Sequence, residues 1–193
     1  MPKDAKFNAE GPNSQQAFGD IVNNITNNYI QKKLPSYLSK VIFYLEKILD
    51  EPIEHKITPQ IVYDLNNKII FNNVIKYKQT IQDYSNYGGT IDRILEELDN
   101  TKPNSKKRFL ENIRRKYILT LGEVKNFYQD DIGLERLLKE NSDEIIDAVF
   151  DKLKKSYLES IIDSEIMLED LENCLIIIIC KAFIDCKILE QPT

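Results

Sequence analysis

Three cysteines lie close together in the stretch ENCLIIIICKAFIDCK, and thiolates are common ligands of zinc. Cys174, Cys180 and Cys186 follow one another at intervals of six residues. Six residues of a helix turn a side chain by about 240°, so thiols with this spacing face three different directions. We therefore predict reduced thiols that pack as small apolar side chains, and we predict no metal site.

His55 is the only histidine of the sequence and lies in the charged stretch EPIEHKITP. Catalysis by a Cys–His or Ser–His–Asp arrangement would need this residue as its base, and no nucleophile motif accompanies it. The pair Gly88-Gly89, followed by Thr90, lacks the lysine of a phosphate-binding loop. We expect His55 to be a solvated loop residue, and we predict no enzymatic activity and no cofactor.

The strongest local charge lies in the stretch KKRFLENIRRK. Its cations are the candidate partner-binding residues: Lys106, Lys107, Arg108, Arg114, Arg115 and Lys116. Side chains seven positions apart share a helix face, which pairs Lys107 with Arg114 and Arg108 with Arg115. Such a face could bind an acidic protein or a phosphate backbone. Because Glu111 lies between the basic pairs, a solvated helix face is the alternative.

The composition is that of a globular protein, with 42% hydrophobic and 30% charged residues among 193. The net charge of -5 gives no general attraction to nucleic acid or to anionic lipid, so any such binding would have to be local. The opening MPKDAKFNAEGPNSQQAF has no apolar core of a secretory signal. We therefore predict a cytoplasmic protein that does not interact with a membrane.

Helices must position these residues, because 6 glycines and 7 prolines are too few to punctuate an all-β chain. We predict an all-α fold: an irregular bundle of about five to seven helices around a central hydrophobic C-terminal helix. Residues 1–33 form a polar, Asn-rich leader, which is either a flexible linker or a segment that becomes ordered on contact. Residues 34–193 form the helical domain.

Apolar spacing predicts the helices of the first half of the domain. A first helix should have Pro35 in its first turn, and a second, short helix should start at Thr58-Pro59. An unbroken apolar phase from Ile70 to Leu98 predicts one long helix with a kink at its glycine pair. Two helices divided between Tyr87 and Thr90 are the alternative.

Capping residues predict the later helix starts. Asn104 or Ser105 should cap the basic helix, and Asn141 with Glu144 has the spacing of a capping box. The last helix should begin near Met167.

The isoleucine run belongs to this last helix. Lys181 stops the run well before the roughly 20 apolar residues that a membrane span needs. An apolar stripe continues from Leu168 to Leu189, and the isoleucines extend it around the helix. A helix that is apolar on all sides is typical of the centre of a bundle.

The order of three stretches resembles the helical C-terminal domains of ABC-three-component systems: FNNVIKYKQTIQDYSNYGGTIDRILEELDN, KPNSKKRFLENIRRKYILTLGE and ENCLIIIICKAFIDCKILEQP. The likeness covers residues 55–192, and GDIVNNITNNYIQ is similar to the joint that precedes such domains. These prokaryotic conflict systems combine an ABC-type ATPase, a middle component and an effector-bearing protein. The resemblance implies a stand-alone recognition domain and supplies no catalytic residue.

The function expected from this resemblance is a non-enzymatic adaptor that docks onto protein partners in an anti-phage system. An ABC-type ATPase or a middle component is the expected partner. The alternative is a nucleic-acid-binding module that uses the basic face of residues 106–116, and a small enzyme is a third hypothesis.

Overall fold

The computed structural model describes residues 34–49, 59–126, 133–161 and 165–192, and regular structure in these ranges is helical throughout. Leader residues 1–33, His55 and the predicted cap Thr58 lie outside the described residues. The helices are α1 (Tyr37–Glu46), α2 (Pro59–Phe71), α3 (Lys78–Tyr84), α4 (Gly88–Thr101), α5 (Ser105–Lys125), α6 (Leu134–Ser160) and α7 (Leu168–Ile184). The predicted all-α bundle is confirmed.

Helix α1 begins with a pair of serines. The Ser39 amide donates to the Ser36 hydroxyl at 3.0 Å, and the Ser36 amide donates to the Ser39 hydroxyl at 3.1 Å, which forms a capping box. Pro35 therefore lies before the cap, and its predicted place in the first turn is wrong. Helix α2 begins at Pro59 as expected but continues to Phe71, so it is not short.

The predicted long helix from Ile70 is interrupted at its start. Asn73 has a φ of 54°, in the left-handed region, and the chain turns there between α2 and α3. Asp143 of α6 stabilises this turn, because its carboxylate accepts from the backbone amides of Ile75 (3.1 Å) and Lys76 (2.9 Å). The side chain of Ile70 is 72% exposed and does not belong to the apolar line predicted for it.

The rest of the segment predicted as one long helix, up to Leu98, forms two helices, which was the alternative prediction. A 3₁₀ turn over Ser85–Tyr87 separates α3 from α4, slightly before the predicted Tyr87–Thr90. Gly88 has a helical φ of -54° and opens α4. A glycine costs a helix most in its interior, so the pair is tolerated in a first turn.

The residues predicted to cap α5 and the helix after Asn141 do lie at helix boundaries. Asn104 is the N-cap residue of α5, as predicted, but it has a φ of 69° and its side chain makes no capping hydrogen bond. The Asp99 carboxylate of α4 instead accepts from the Lys106 amide at 2.9 Å. Two helical parts of α6 meet at a kink at Asn141, whose φ of -133° is non-helical, so a helical part does begin after Asn141, as predicted. The side-chain amide of Asn141 donates to the Leu137 carbonyl oxygen at 2.9 Å.

Helix α7 is the central element and packs against α1, α3, α4, α6 and the 3₁₀ turn. It begins after Met167, as predicted, and Ile177, Ile178 and Ile179 are buried on different sides of it. The helix ends at Ile184, so the predicted stripe is too long. Leu189 follows in a non-helical segment with a φ of 56°. No helix within the described ranges is long and apolar enough to cross a membrane.

Candidate functional site

Helix α5 carries all six candidate cations, but the bundle divides them between different environments. The Lys106 ammonium lies 2.9 Å from an Asp92 carboxylate oxygen, and the Arg114 guanidinium lies 3.7 Å from a Glu190 carboxylate oxygen. Lys107 is well exposed, with its ammonium 3.9 Å from Glu111. Lys106 and Arg114 are therefore neutralised within the chain, which the spacing of the sequence could not show.

Asp92 holds Lys106 together with a second lysine from α7. The Lys181 ammonium donates to Asp92 at 2.7 Å and to Asp185 at 2.8 Å, although Lys181 is only 7% exposed. Burial acts to raise the pKa of Asp92, but the hydrogen bonds from Lys181 and Lys106 outweigh it, and the pKa lies below its usual value. This network links α4, α5 and α7 and is structural.

Arg114 belongs to a group that holds the segment after α7. The Tyr117 hydroxyl donates to the Glu190 carboxylate at 3.2 Å, and this carboxylate also faces Arg114. The Asn72 side chain, fully buried, donates to the Glu190 carbonyl oxygen at 2.8 Å and accepts from the Glu190 amide at 3.1 Å. These contacts fix the C-terminal segment, defined here as Asp185–Glu190, against α2 and α5.

Lys68 of α2 completes the attachment of the C-terminal segment. Its ammonium donates to the carbonyl oxygens of Phe183, in the last turn of α7, and of Ile188. Lys68 is 4% exposed, and its burial lowers the pKa of its ammonium. A cavity of about 420 Å³ opens beside Lys68 and Cys186.

The remaining cations line a groove between α5, the start of α1 and the second half of α6. This α5 groove has a volume of about 380 Å³. Its polar lining is supplied by Ser36, Tyr37, Arg108, Glu111, Asn112, Arg115, Lys116 and Ser156, and its apolar lining by Pro35, Leu38, Phe109, Ile113 and Leu153. Phe109, Ile113 and Leu153 are buried core residues, so the groove has a firm apolar floor.

Arg108 and Arg115, like Lys116, form no ion pair with any described residue. Both arginines are exposed and lie seven positions apart, on the side of α5 that faces the groove. Lys116 lies deeper, where its ammonium donates to the Ser156 hydroxyl at 2.6 Å. Burial lowers the pKa of Lys116, which indicates a partly desolvated cation at the groove wall.

Tyr37 brings a further polar group to the groove from α1. Its hydroxyl oxygen is buried and has no hydrogen-bond partner in good geometry among the described residues. The nearby Ser105 hydroxyl, followed by Arg108 and Lys102, lowers the pKa of Tyr37. The Lys102 ammonium also lies 5.4 Å from the centre of the Tyr37 ring. No local pattern predicts this contact, because only the packing of α1 brings Tyr37 to α5.

An apolar patch continues the exposed side of α5 beyond Arg115. Ile118 and Leu119 are 54% and 57% exposed, and both lie outside the buried line of Phe109, Ile113 and Tyr117. Gly122, one turn further, has open space where a side chain would extend. Large apolar side chains next to unpaired arginines are typical of protein-binding surfaces. Their spacing places them off the buried line, and this is the pattern in the sequence that indicates an exposed apolar patch.

The three cysteines lie in separate environments. The Cys174 thiol lies 3.9 Å from the Ile42 carbonyl oxygen and the Cys180 thiol 4.0 Å from that of Thr80. Burial raises the pKa of each of these thiols to about 12. Cys186 lies beyond the end of α7. Within the described residues, no group of three or more His, Cys, Asp or Glu side chains is placed to hold a metal ion, and the absence of a metal site stays a prediction.

Comparison with known proteins identifies the family from the sequence. Neither the curated proteins nor the solved structures include a significant match to the chain. A family model matches residues 45–190, which include the described helices from α2 to α7 and all six cations of α5. This model is that of C-terminal domain 10 of the ABC-three component (ABC-3C) systems. The resemblance noted from the order of the three stretches is confirmed, and the chain belongs to the C-terminal domain 10 family of the ABC-three component systems.

Proposed function

We propose that this chain is a non-enzymatic docking module that binds a protein partner through the α5 groove. The observation that carries this proposal is the pair Arg108 and Arg115, two exposed guanidinium groups without a carboxylate partner among the described residues, beside an apolar floor. Family membership supports a role within a multi-component system. The proposed setting is the cytoplasm of a prokaryote with an anti-phage system, and the proposed partner is its ABC-type ATPase or middle component.

A protein partner fits the α5 groove better than nucleic acid. A phosphate backbone is bound by several cations along its path, and binding weakens steeply with salt as counterions return. Here Lys106 and Arg114 are already neutralised, and the Glu111 carboxylate lies in the groove lining. The net charge of -5 adds no long-range attraction for a polyanion.

The groups in the groove also favour binding over catalysis. Its titratable side chains are Tyr37, Glu111 and Lys116 besides the two arginines. A nucleophile activated by a neighbouring base needs the two groups within hydrogen-bond reach. The Lys116 ammonium and the Ser156 hydroxyl lie within this reach at 2.6 Å, but the ammonium donates its proton to the hydroxyl and in this arrangement is not a base. We therefore assign the arginines to recognition.

Co-purification tests the docking function. The tagged chain is expressed with the ABC-type ATPase and the middle component of its own system, and the captured proteins are identified by mass spectrometry. We expect the wild-type chain to retain one of them and the double variant R108E/R115E to lose it. Arg114 is left unchanged, because its partner Glu190 belongs to the C-terminal segment.

Arg136→Glu is the matched control, because Arg136 is an exposed arginine at the other end of α6 and does not line the groove. It should retain the partner. The proposal is wrong if the wild-type chain captures neither protein, or if it binds RNA or DNA with a steep salt dependence that R108E/R115E abolishes.

A further inference from the structure

The two arginines of the α5 groove are held at a fixed separation. They are seven residues apart on one continuous helix, which at about 1.5 Å per residue places them about 10 Å apart along its axis. Seven residues are close to two full turns, so both side chains leave α5 on the same side. Each guanidinium can bind one carboxylate through two parallel hydrogen bonds.

The apolar floor of the groove between the two arginines disfavours a further charged side chain on a bound segment. Phe109 and Ile113 are 3% and 1% exposed and form the groove base together with Leu153 of α6. The Glu111 carboxylate lies in the same lining, and it would repel a carboxylate placed at the centre. An apolar side chain is the group that gains most from this position, because it covers the floor and carries no charge.

The size of the groove limits what can enter it. A volume of about 380 Å³ accommodates a few side chains of one peptide segment. Polar side chains from α1, α5 and α6 surround this space, and the exposed Asn112 amide can bond the backbone of such a segment. The Tyr37 hydroxyl lies in the same lining, close to the Ser105 hydroxyl and to Arg108.

We infer that the α5 groove binds an acidic segment of the partner protein, in which two carboxylates about 10 Å apart pair with Arg108 and Arg115 on either side of an apolar side chain. This inference rests on the proposed docking function and specifies the chemistry of the partner. Two carboxylates at this separation are about three residues apart in a polyproline-like extended segment, or about seven residues apart in a helix.

Selection from a random peptide library tests the chemistry directly. The full chain is immobilised, and peptides displayed on phage are selected on it, with R108Q/R115Q as the counter-selection. We expect enrichment of two acidic residues three or seven positions apart, with an apolar residue between them. Selected peptides that are not enriched in acidic residues, or that are enriched in them without a preferred spacing, would overturn the inference.

The best selected peptide is then labelled with fluorescein and titrated with each variant by fluorescence anisotropy. Arg108→Gln and Arg115→Gln should each weaken binding about ten-fold, since each removes a charged hydrogen-bonding pair. Glutamine in place of either acidic residue of the peptide should have the same effect. Arg136→Gln should leave binding unchanged, and circular dichroism should show that all variants are folded.

The two tests fail in distinguishable ways. If a natural partner is captured through the arginines but the selected peptides lack the acidic pair, the docking function stands and the inference about the segment is wrong. Equal binding of the labelled peptide by wild type and by both glutamine variants would also overturn the inference. A wild-type chain that captures neither partner protein and binds no selected peptide would refute the docking function itself.

Discussion

Replacing Ile177 by aspartate should prevent the chain from folding. Ile177 is 1% exposed on the central helix α7 and lies in the main core. The change forfeits the burial of one isoleucine, about 1.5–3 kcal/mol. It also places a carboxylate in the core without a cation, at an effective cost of several kcal/mol. The sum approaches the whole stability of a typical domain, about 5–15 kcal/mol.

Leu168→Asp is the matched control, because Leu168 is on the same helix, 55% exposed and in the first turn. A carboxylate there interacts favourably with the helix dipole, so the free energy of unfolding should change by about 0.5 kcal/mol or less. Both variants and the wild type are compared by soluble yield and by thermal unfolding in far-UV circular dichroism. Cooperative melting of Ile177→Asp within a few degrees of the wild type would refute the central position of α7.

Two further predictions concern titratable groups in the core. Cys174 and Cys180 should resist a thiol reagent in the native chain and react on denaturation, because burial raises both pKa values to about 12. Cys186, which is only partly buried, should react first. Equal reaction rates of all three thiols in the native chain would contradict this prediction. Burial also raises the pKa of Tyr117 above the usual 10.0, so above about pH 10 the folded chain keeps a proton that the unfolded chain releases. The contribution of Tyr117 to the free energy of unfolding is therefore fully present below about pH 10 and is lost as the pH rises further. Tyr117→Phe should lower the free energy of unfolding by about 1 kcal/mol at neutral pH. In urea titrations it should reduce the loss of stability at alkaline pH without removing that loss, because the pKa of Tyr77 is also raised. An unchanged loss of stability at alkaline pH would show that Tyr117 does not titrate in this way.

Local periodicity predicted the helices whose burial follows a single repeating face. The start of α7 near Met167 is confirmed. The buried line of Phe109, Ile113 and Tyr117 in α5 follows the same geometry, because 3.6 residues per turn determine which positions share a face. The long helix from Ile70 failed because the apolar phase continues where the backbone turns. That turn is stabilised from outside the segment, by Asp143 of α6, at a sequence separation of 67 residues from Lys76. No local pattern contains such a contact.

The candidate site was predictable in composition but not in arrangement. The sequence identified the six cations and paired Arg108 with Arg115, which do share a side of α5. It could not separate them from Lys106 and Arg114, because the carboxylates that neutralise these two come from α4 and from the C-terminal segment. Their approach depends on how the bundle packs. The groove itself has no sequence signature, since three helices build it.

The central helix α7 follows all the helices that pack against it in the order of synthesis. While the chain leaves the ribosome, α1, α3, α4 and α6 have no partner for the sides that they later bury on α7. A nascent chain in this condition exposes apolar surface until Glu190 has emerged and can join Asn72, 118 residues earlier. The domain therefore completes its core only after translation has passed α7, and chaperones have an exposed substrate until then.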